Sequence, residues 1–293
     1  VQGLDAQIAT VMKEQRIRGN QAKLLRSLRE DRRYQFSDAN ALLGRYRQVQ
    51  KDVAARLPAV LDTLPAAPLE IQPVDADRAM NSPAVSYQAA PAAGRAAVLS
   101  VNTNDLPSRR RWSVPMQYLH EGVPGHHVQL GLQHALESLP RFRRQGGDAA
   151  FVEGWGLYAE SLGDELGVYA DPYDRIGYLH AALVRAARVV ADTGLHADNW
   201  SKQRAVTYLQ DTAGMAPTDA VAEVERMMAQ PGQALSNVLG EARIVQLRDR
   251  ARQVQGPAFD IRRFHAELLR DGSMPLDILD AKITRWLQQP ATP

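Results

Sequence analysis

The residues of this chain best suited to chemistry lie close together near its middle. His120 and Glu121 stand side by side, and His126 and His127 follow directly after Pro124-Gly125. A hydrolytic zinc ion takes about three nitrogen or oxygen ligands from the protein and leaves one position for water. The metal lowers the pKa of that water towards about 7, and a nearby carboxylate takes its proton. This stretch therefore predicts a zinc site with a catalytic glutamate.

The spacing of these residues departs from the usual zincin pattern, in which two histidines at i and i+4 of one helix flank a glutamate base. Here His120 is present, but position i+4 is Pro124, which cannot bind a metal. On an unbroken helix at about 100° per residue, His127 at i+7 returns to the face of His120 and His126 at i+6 does not. Pro124 and Gly125 favour a kink or bulge, which would bring His126 back to that face. The spacing alone leaves both histidines open as the second ligand.

A second stretch offers a carboxylate for the same metal. Glu153 precedes Gly154 and Trp155 in an apolar segment that we predict to be a helix over 149–166. An unpaired carboxylate in such surroundings is unfavourable, and a metal ion would offset that cost. Glu160 lies seven residues further along, on the same face about two turns away, and we expect it to orient a ligating histidine.

A rival pair of ligands lies later in the chain. Asp192 and His196 stand at i and i+4, with Gly194 between them, which indicates close packing or close approach to a ligand. We favour His196 as a group that acts on the transition state rather than as a ligand. Together with Arg188, it is expected to stabilise a developing oxyanion or to bind a substrate carboxylate.

The bulk composition excludes several classes of protein. The 293 residues are 45% hydrophobic and 23% charged, which is typical of a globular protein with one large or two moderate domains. A net charge of +2 is too balanced to predict a nucleic-acid partner. The chain has no cysteine, so any metal must be held by histidines and carboxylates. No apolar run reaches the roughly 18 residues of a membrane span, and no signal peptide is visible.

The pattern of apolar residues predicts a mainly α protein with a small β-sheet. Residues 1–60 show helical spacing, whereas prolines interrupt the chain between 65 and 91. We predict strands near 69–74, 84–87 and 96–103. By analogy, a short sheet just before the metal helix is where zincins bind an extended substrate by strand addition. Tyr87 and Asn102 are therefore predicted to line the substrate.

Several separated motifs resemble the bacterial domain-of-unknown-function 885 family (DUF885), over roughly residues 80–290. That family is placed among gluzincin-like metallopeptidases, so the resemblance implies a zincin-like, mainly helical fold. The motifs are the run 120–129, Val152-Glu153-Gly154-Trp155, the run 192–196 and the run 231–236.

The resemblance also implies an assignment of ligands. It favours His126 as the second ligand and Glu153 as the third. Asn237 departs from the family pattern, because an aromatic residue, often tyrosine, is expected there. If that tyrosine binds substrate or stabilises the oxyanion, its role is open in this chain.

Members of the family are commonly about twice this length, and many are exported proteins or lipoproteins. The chain begins at Val1 rather than methionine, so we expect it to start within a larger precursor. The remaining N-terminal portion of that precursor is then a candidate partner. The resemblance favours a periplasmic or secreted location over a cytoplasmic one.

The sequence thus predicts a helical segment at 1–63 and a zincin-like catalytic domain at 64–293, or one continuous domain. His120, His126 and Glu153 would bind Zn²⁺, while Glu121 would activate the water and later protonate the leaving amine. The expected substrate is a peptide or a small amide. One alternative is a metal-dependent hydrolase or lyase that acts on a non-peptide molecule. The other is a helical binding domain that has kept the motif and lost the activity.

Overall fold

The computed structural model describes residues 1–92 and 94–289, together with every side chain in those ranges except that of Ala22. Residues 93 and 290–293, which belong to the predicted catalytic domain, lie outside the described residues. The described part contains thirteen α-helices and three β-strands, which confirms the predicted mainly α class with a small sheet.

The helices are α1 (Gln2–Glu14), α2 (Gln21–Glu30), α3 (Ala39–Arg56), α4 (Val114–Glu121), α5 (His126–His134), α6 (Arg141–Gln145), α7 (Ala149–Ser161), α8 (Pro172–His196), α9 (Lys202–Ala213), α10 (Pro217–Ala229), α11 (Gln233–Gln255), α12 (Ile261–Leu269) and α13 (Leu276–Gln288). The strands are β1 (Leu69–Pro73), β2 (Val85–Gln88) and β3 (Ala97–Val101).

The three strands form one sheet in the order β1-β3-β2. β1 runs parallel to β3, with Ile71 opposite Leu99, and β2 runs antiparallel to β3, with Tyr87 also opposite Leu99. The three predicted strands are present within two residues of their predicted limits. β2 lies at the edge of the sheet next to α4.

The metal helix of the sequence prediction is two helices. α4 ends at Glu121 and α5 begins at His126, so the expected kink is a complete break over residues 122–125. A Cβ on Gly125 would collide with the carbonyl oxygens of Leu119 and His120, so only glycine fits there. The indole N–H of Trp155 donates to the carbonyls of Pro124 and Gly125, at 3.0 and 3.2 Å. The break is therefore held from α7, the helix that carries Glu153.

α7 and α11 cross in close contact, because each contributes a glycine to the crossing point. A Cβ on Gly154 would collide with Gly240. This close approach brings the first turns of α11 next to Glu153.

Two hydrophobic clusters stabilise the described part of the chain. One joins α3, the sheet, α4, α7, α12, α13 and the second half of α11. The other joins α1 and α2 to α8, α9 and α10. Residues 1–63 are thus divided between both clusters, and the predicted boundary after residue 63 does not separate two cores.

Among the described residues, no helix combines the length and the apolar character that crossing a membrane requires.

Candidate metal centre

Three predicted ligands converge where α4, α5 and α7 meet. His120 Nε2 lies 3.6 Å from one carboxylate oxygen of Glu153, and His126 Nε2 lies 4.0 Å from the other. The two imidazole rings stand 4.7 Å apart, edge to face. Donor atoms bonded to a tetrahedral zinc at about 2.0–2.2 Å are about 3.4 Å from one another. The two nitrogen–oxygen distances, 3.6 and 4.0 Å, exceed that spacing by about 0.2 and 0.6 Å.

Glu121 stands beside this group and competes with Glu153 for the third ligand position. Its carboxylate and the donor nitrogens of His120 and His126 all lie within 4.8 Å of one another. One oxygen of Glu121 already accepts a hydrogen bond from the backbone N–H of Tyr87, at 2.9 Å. Glu153, in contrast, directs one oxygen towards each histidine. Glu153 therefore suits the role of ligand, and Glu121 is at a distance that one water molecule would span.

Glu160 fixes the orientation of His120. This carboxylate is fully buried, and one of its oxygens lies 2.8 Å from His120 Nδ1. Arg185 donates to both oxygens of Glu160, at 2.7 and 2.8 Å. Gly156 leaves room for the imidazole, since a Cβ there would meet the ring. The predicted contact between Glu160 and a ligand histidine is present, whereas sequence reasoning missed Arg185.

The charges of the cluster shift the ionisation of its members. Burial disfavours the charged form of His120, but the hydrogen bonds to Glu153 and Glu160 outweigh it and raise the pKa of His120 to about 9. Burial and the neighbouring His120 lower the pKa of His126 to about 4. Burial opposes the ionisation of Glu153, yet the contacts with His120 lower the pKa of Glu153 to about 2. Glu153 is therefore ionised, and its two oxygens face the Nε2 atoms of His120 and His126.

The donor set fits a divalent cation. With His120 protonated, the carboxylates Glu121, Glu153 and Glu160 exceed the positive charges of His120 and Arg185 by one, in a largely buried place. Such an excess needs a cation. Two imidazole nitrogens and one carboxylate are ligands that suit zinc, and the chain has no thiol to compete with them.

His127 is excluded from the cluster by the break between α4 and α5. Its ring packs edge-on against Tyr87, at 5.6 Å between ring centroids. Burial lowers the pKa of His127 to about 4. The tertiary structure therefore places His126, and not His127, in the group with His120 and Glu121 that could hold a metal ion.

The two residues predicted to line the substrate take different positions. Tyr87 lies on β2, and its backbone N–H holds Glu121. Asn102 is buried, and its side-chain amide donates to the carbonyls of Ala79 and Ser82. Asn102 thus organises the loop before β2. Its contact with substrate stays a prediction that no contact in the structure supports.

His196 and Arg188 lie outside the metal cluster. His196 Nδ1 is 2.8 Å from Asp192, whose carboxylate also accepts from the backbone N–H of Gly232. Arg188 pairs with Glu223 at 2.6 Å. His196 follows Arg185 by eleven residues on α8, which is roughly 16 Å along the helix axis. Their predicted roles at the oxyanion or the substrate stay predictions.

Asn237 is the residue of the site for which the sequence left the role open. Its side-chain amide donates to Glu153 at 2.9 Å. The position at which the family resemblance leads us to expect an aromatic side chain therefore contacts Glu153, a predicted ligand.

The chain is similar to solved structures over nearly its whole length. One, a putative lipoprotein from Colwellia psychrerythraea, is 32% identical with a TM-score of 0.90, and the match covers 97% of this chain and 50% of that chain. Another, a putative lipoprotein of unknown function from Shewanella oneidensis, is 20% identical with a TM-score of 0.77, and the match covers 98% of this chain and 54% of that chain. The chain thus spans about half the length of these solved relatives.

None of the curated proteins matches the chain. The profile of a family described as bacterial proteins of unknown function (DUF885) matches residues 1–283, so the predicted resemblance extends to the N-terminal helices. With this match and the 32% identity to the Colwellia protein, the chain belongs to the DUF885 family.

Proposed function

We propose that this protein is a zinc-dependent peptidase with a zincin-like site. The observation that carries the proposal is the convergence of His120 Nε2 and His126 Nε2 on the two oxygens of Glu153. Glu121 stands beside them at a distance suited to a general base. The wider assignment as a gluzincin-like metallopeptidase rests on the same three ligands and on the family resemblance.

Glu121 is the residue that moves protons in this proposal. Bound zinc would supply Lewis acidity, which acidifies a water molecule and polarises the scissile carbonyl. Burial raises the pKa of Glu121 and so makes its carboxylate a stronger base. The backbone N–H of Tyr87 holds one of its oxygens and leaves the other free to accept a proton. Glu121 takes the proton of the attacking water and then delivers it to the leaving amine.

The edge of the sheet favours a peptide over a small non-peptide substrate. Asn102 N donates to Ala84 O, so the alternation of an antiparallel pair turns the backbone groups of Val85 and Tyr87 away from β3. The N–H of Tyr87 is occupied by Glu121, so an extended peptide would pair by strand addition with the other outward-facing backbone groups of Val85 and Tyr87. Because Tyr87 also holds Glu121, the same strand would place a bound peptide next to the base.

A specific observation favours one second candidate, a binding domain that has lost the activity. Asn237 stands where the family resemblance leads us to expect an aromatic side chain, and its amide is engaged with Glu153. A site without that group would keep the metal and lose part of its transition-state stabilisation. Turnover measurements on the zinc-loaded protein separate the two functions.

For location, we propose an exported protein in the periplasm or outside the cell. Support comes from the two solved relatives, each described as a putative lipoprotein. Fractionation of cells that express the native protein would test this.

The Glu121→Gln variant tests the proposed function. It should retain zinc, because Glu121 is not a ligand, and should hydrolyse a peptide panel about 10²–10⁴ times more slowly, because general-base catalysis is worth that factor. Zinc content by elemental analysis and turnover are the two measurements.

Two further variants sharpen this test. Glu153→Gln should lose zinc, whereas Glu165→Gln, which removes an exposed acid just after α7, should match the wild type in both measurements. Equal turnover in Glu121→Gln and the wild type would refute the assigned role of Glu121.

A further inference from the structure

A cluster of charged residues lies where α8, α10 and α11 meet, beyond the metal centre. Arg188 Nε lies 2.6 Å from Glu223, and the same oxygen of Glu223 accepts from Arg226. Gln233 accepts from Arg226 at 2.8 Å and from Arg188 at 3.5 Å. Two guanidinium groups thus share one carboxylate, and the cluster keeps one positive charge.

The guanidinium of Arg188 is incompletely compensated. Burial lowers the pKa of Arg188 below its ordinary value, and the repulsion of Arg226 adds to the effect that Glu223 opposes. Both arginine side chains keep some access to solvent, with exposed fractions of 16% for Arg188 and 40% for Arg226. An arriving carboxylate would therefore gain a charge-assisted contact at this place.

The start of α11 does not compete for such an anion. The carboxylate of Asp192 already accepts from the backbone N–H groups of Gly232 and Ala234. The positive end of the helix dipole is thus compensated from within the protein. An anion at this place would therefore be bound by the arginine side chains.

α11 sets the distance between this cluster and the metal centre. Gln233 and Asn237 are four residues apart, so their side chains lie on one face of the helix, roughly 6 Å apart along its axis. Asn237 contacts the ligand Glu153, and Gln233 contacts both arginines. An extended peptide advances about 3.3–3.6 Å per residue. One or two residues of such a peptide therefore match the interval along α11 between Asn237, which contacts Glu153, and Gln233, which contacts the arginines.

We propose that Arg188 and Arg226 bind the C-terminal carboxylate of the substrate, and that the protein is a carboxypeptidase that removes one or two residues. This inference rests on the proposed function and specifies its substrate as a peptide with a free C-terminus. The C–N bond one or two residues before that carboxylate breaks. The hydroxyl of the water adds to the carbonyl carbon, and its proton passes through Glu121 to the released amine.

A binding experiment tests the carboxylate site separately from turnover. The ligands are an N-acetylated tripeptide with a free C-terminus and the same tripeptide with a C-terminal amide, titrated calorimetrically into the Glu121→Gln protein. The free acid should bind roughly 10- to 100-fold more tightly, because a hydrogen bond to a charged group is worth about 1.5–3 kcal/mol. Replacing Arg226 as well, by Arg226→Gln, should cut that ratio about tenfold.

The matched control is Arg243→Gln in the same background. Arg243 is an arginine of similar exposure on α11 that pairs with Asp280, away from the cluster. The Arg243→Gln control should bind the free-acid tripeptide more tightly than the amide by the same factor as the Glu121→Gln protein. Equal binding of acid and amide, no binding of the acid, or an unchanged preference in Arg226→Gln would overturn the inference.

Product analysis of the wild-type protein distinguishes failure of this inference from failure of the proposed function. Release of single residues or dipeptides from the C-terminus is the expected result. Internal cleavage, with equal rates on acid and amide substrates, would overturn the carboxypeptidase assignment and leave the peptidase proposal standing. Absence of zinc and of turnover would refute the peptidase proposal, whereas the acid-to-amide binding ratio would still decide the carboxylate site.

Discussion

The orientation of His120 depends on Glu160, a carboxylate forty positions later in the chain. Its hydrogen bond to Nδ1 leaves Nε2 directed towards Glu153, and Arg185 holds Glu160 in place with two hydrogen bonds. Carboxylates that hydrogen-bond a ligating histidine in this way fix its tautomer and increase its basicity. At the scale of the residue, zinc affinity should thus depend on groups that never touch the metal.

We therefore predict that Glu160→Gln lowers zinc affinity about 10- to 100-fold. The neutral amide cannot balance the guanidinium of Arg185, and it orients His120 less firmly. Competition against a chromogenic chelator measures the affinity. The exposed Glu165→Gln provides the control. Zinc affinity in Glu160→Gln equal to that of the wild type would show that His120 needs no support from this carboxylate.

At the scale of the element, the break between α4 and α5 decides which histidine reaches the centre. Gly125 permits the chain to pass close to the last turn of α4, and Trp155 holds the break through two carbonyls. Because Trp155 and Glu153 lie on the same helix, α7 supplies both a predicted ligand and the support for the backbone just before His126, the other predicted ligand. A continuous helix would instead have presented His127 on the face of His120.

We predict that Gly125→Ala destabilises the fold by at least about 3 kcal/mol, since the added Cβ collides with backbone that cannot move aside. Gly44→Ala is the matched control. Gly44 lies within α3 with open space around a new Cβ, so its replacement should stabilise the fold by about 0.5–1 kcal/mol. Urea unfolding gives both values. A Gly125→Ala protein as stable as the wild type would contradict the account of the break.

At the scale of the whole molecule, His265 ties distant parts of the chain together. Its ring is fully buried on α12, with Nδ1 2.8 Å from the carbonyl of Val60 and Nε2 2.8 Å from the hydroxyl of Tyr158 on α7. Burial lowers the pKa of His265 to about 4, so the folded protein keeps the ring neutral. The unfolded chain takes up a proton near pH 6.5.

The contribution of His265 to the free energy of unfolding should therefore be fully present above pH 6.5. It should fall as the pH drops from 6.5 to about 4. The loss attributable to this group is up to about 3 kcal/mol. Urea unfolding of the metal-free protein at pH 8 and pH 4.5 measures it. In His265→Gln the difference between the two pH values should shrink by about that amount. The same pH dependence in both proteins would show that another group is responsible.

The sequence by itself determined the types of residue available for chemistry and most of the elements. Helical periodicity, the prolines between 65 and 91, and the alternation in the strand segments are local properties, so the strands were predictable within two residues. The helix predicted over 149–166 begins at Ala149 as expected but ends at Ser161, five residues early. The absence of cysteine limited any metal to histidine and carboxylate ligands. The Pro124-Gly125 pair indicated that the metal helix would not be regular.

Only the tertiary structure decided which side chains meet. The choice of His126 over His127, the contact of Arg185 with Glu160 and the contact of Asn237 with Glu153 join elements that lie far apart in the chain. The tertiary structure also buried Asn102 in a loop and placed α3 in a different core from α1 and α2. The physical reason is that spacing along a chain fixes directions within one helix or strand, whereas distances between elements depend on how their surfaces pack.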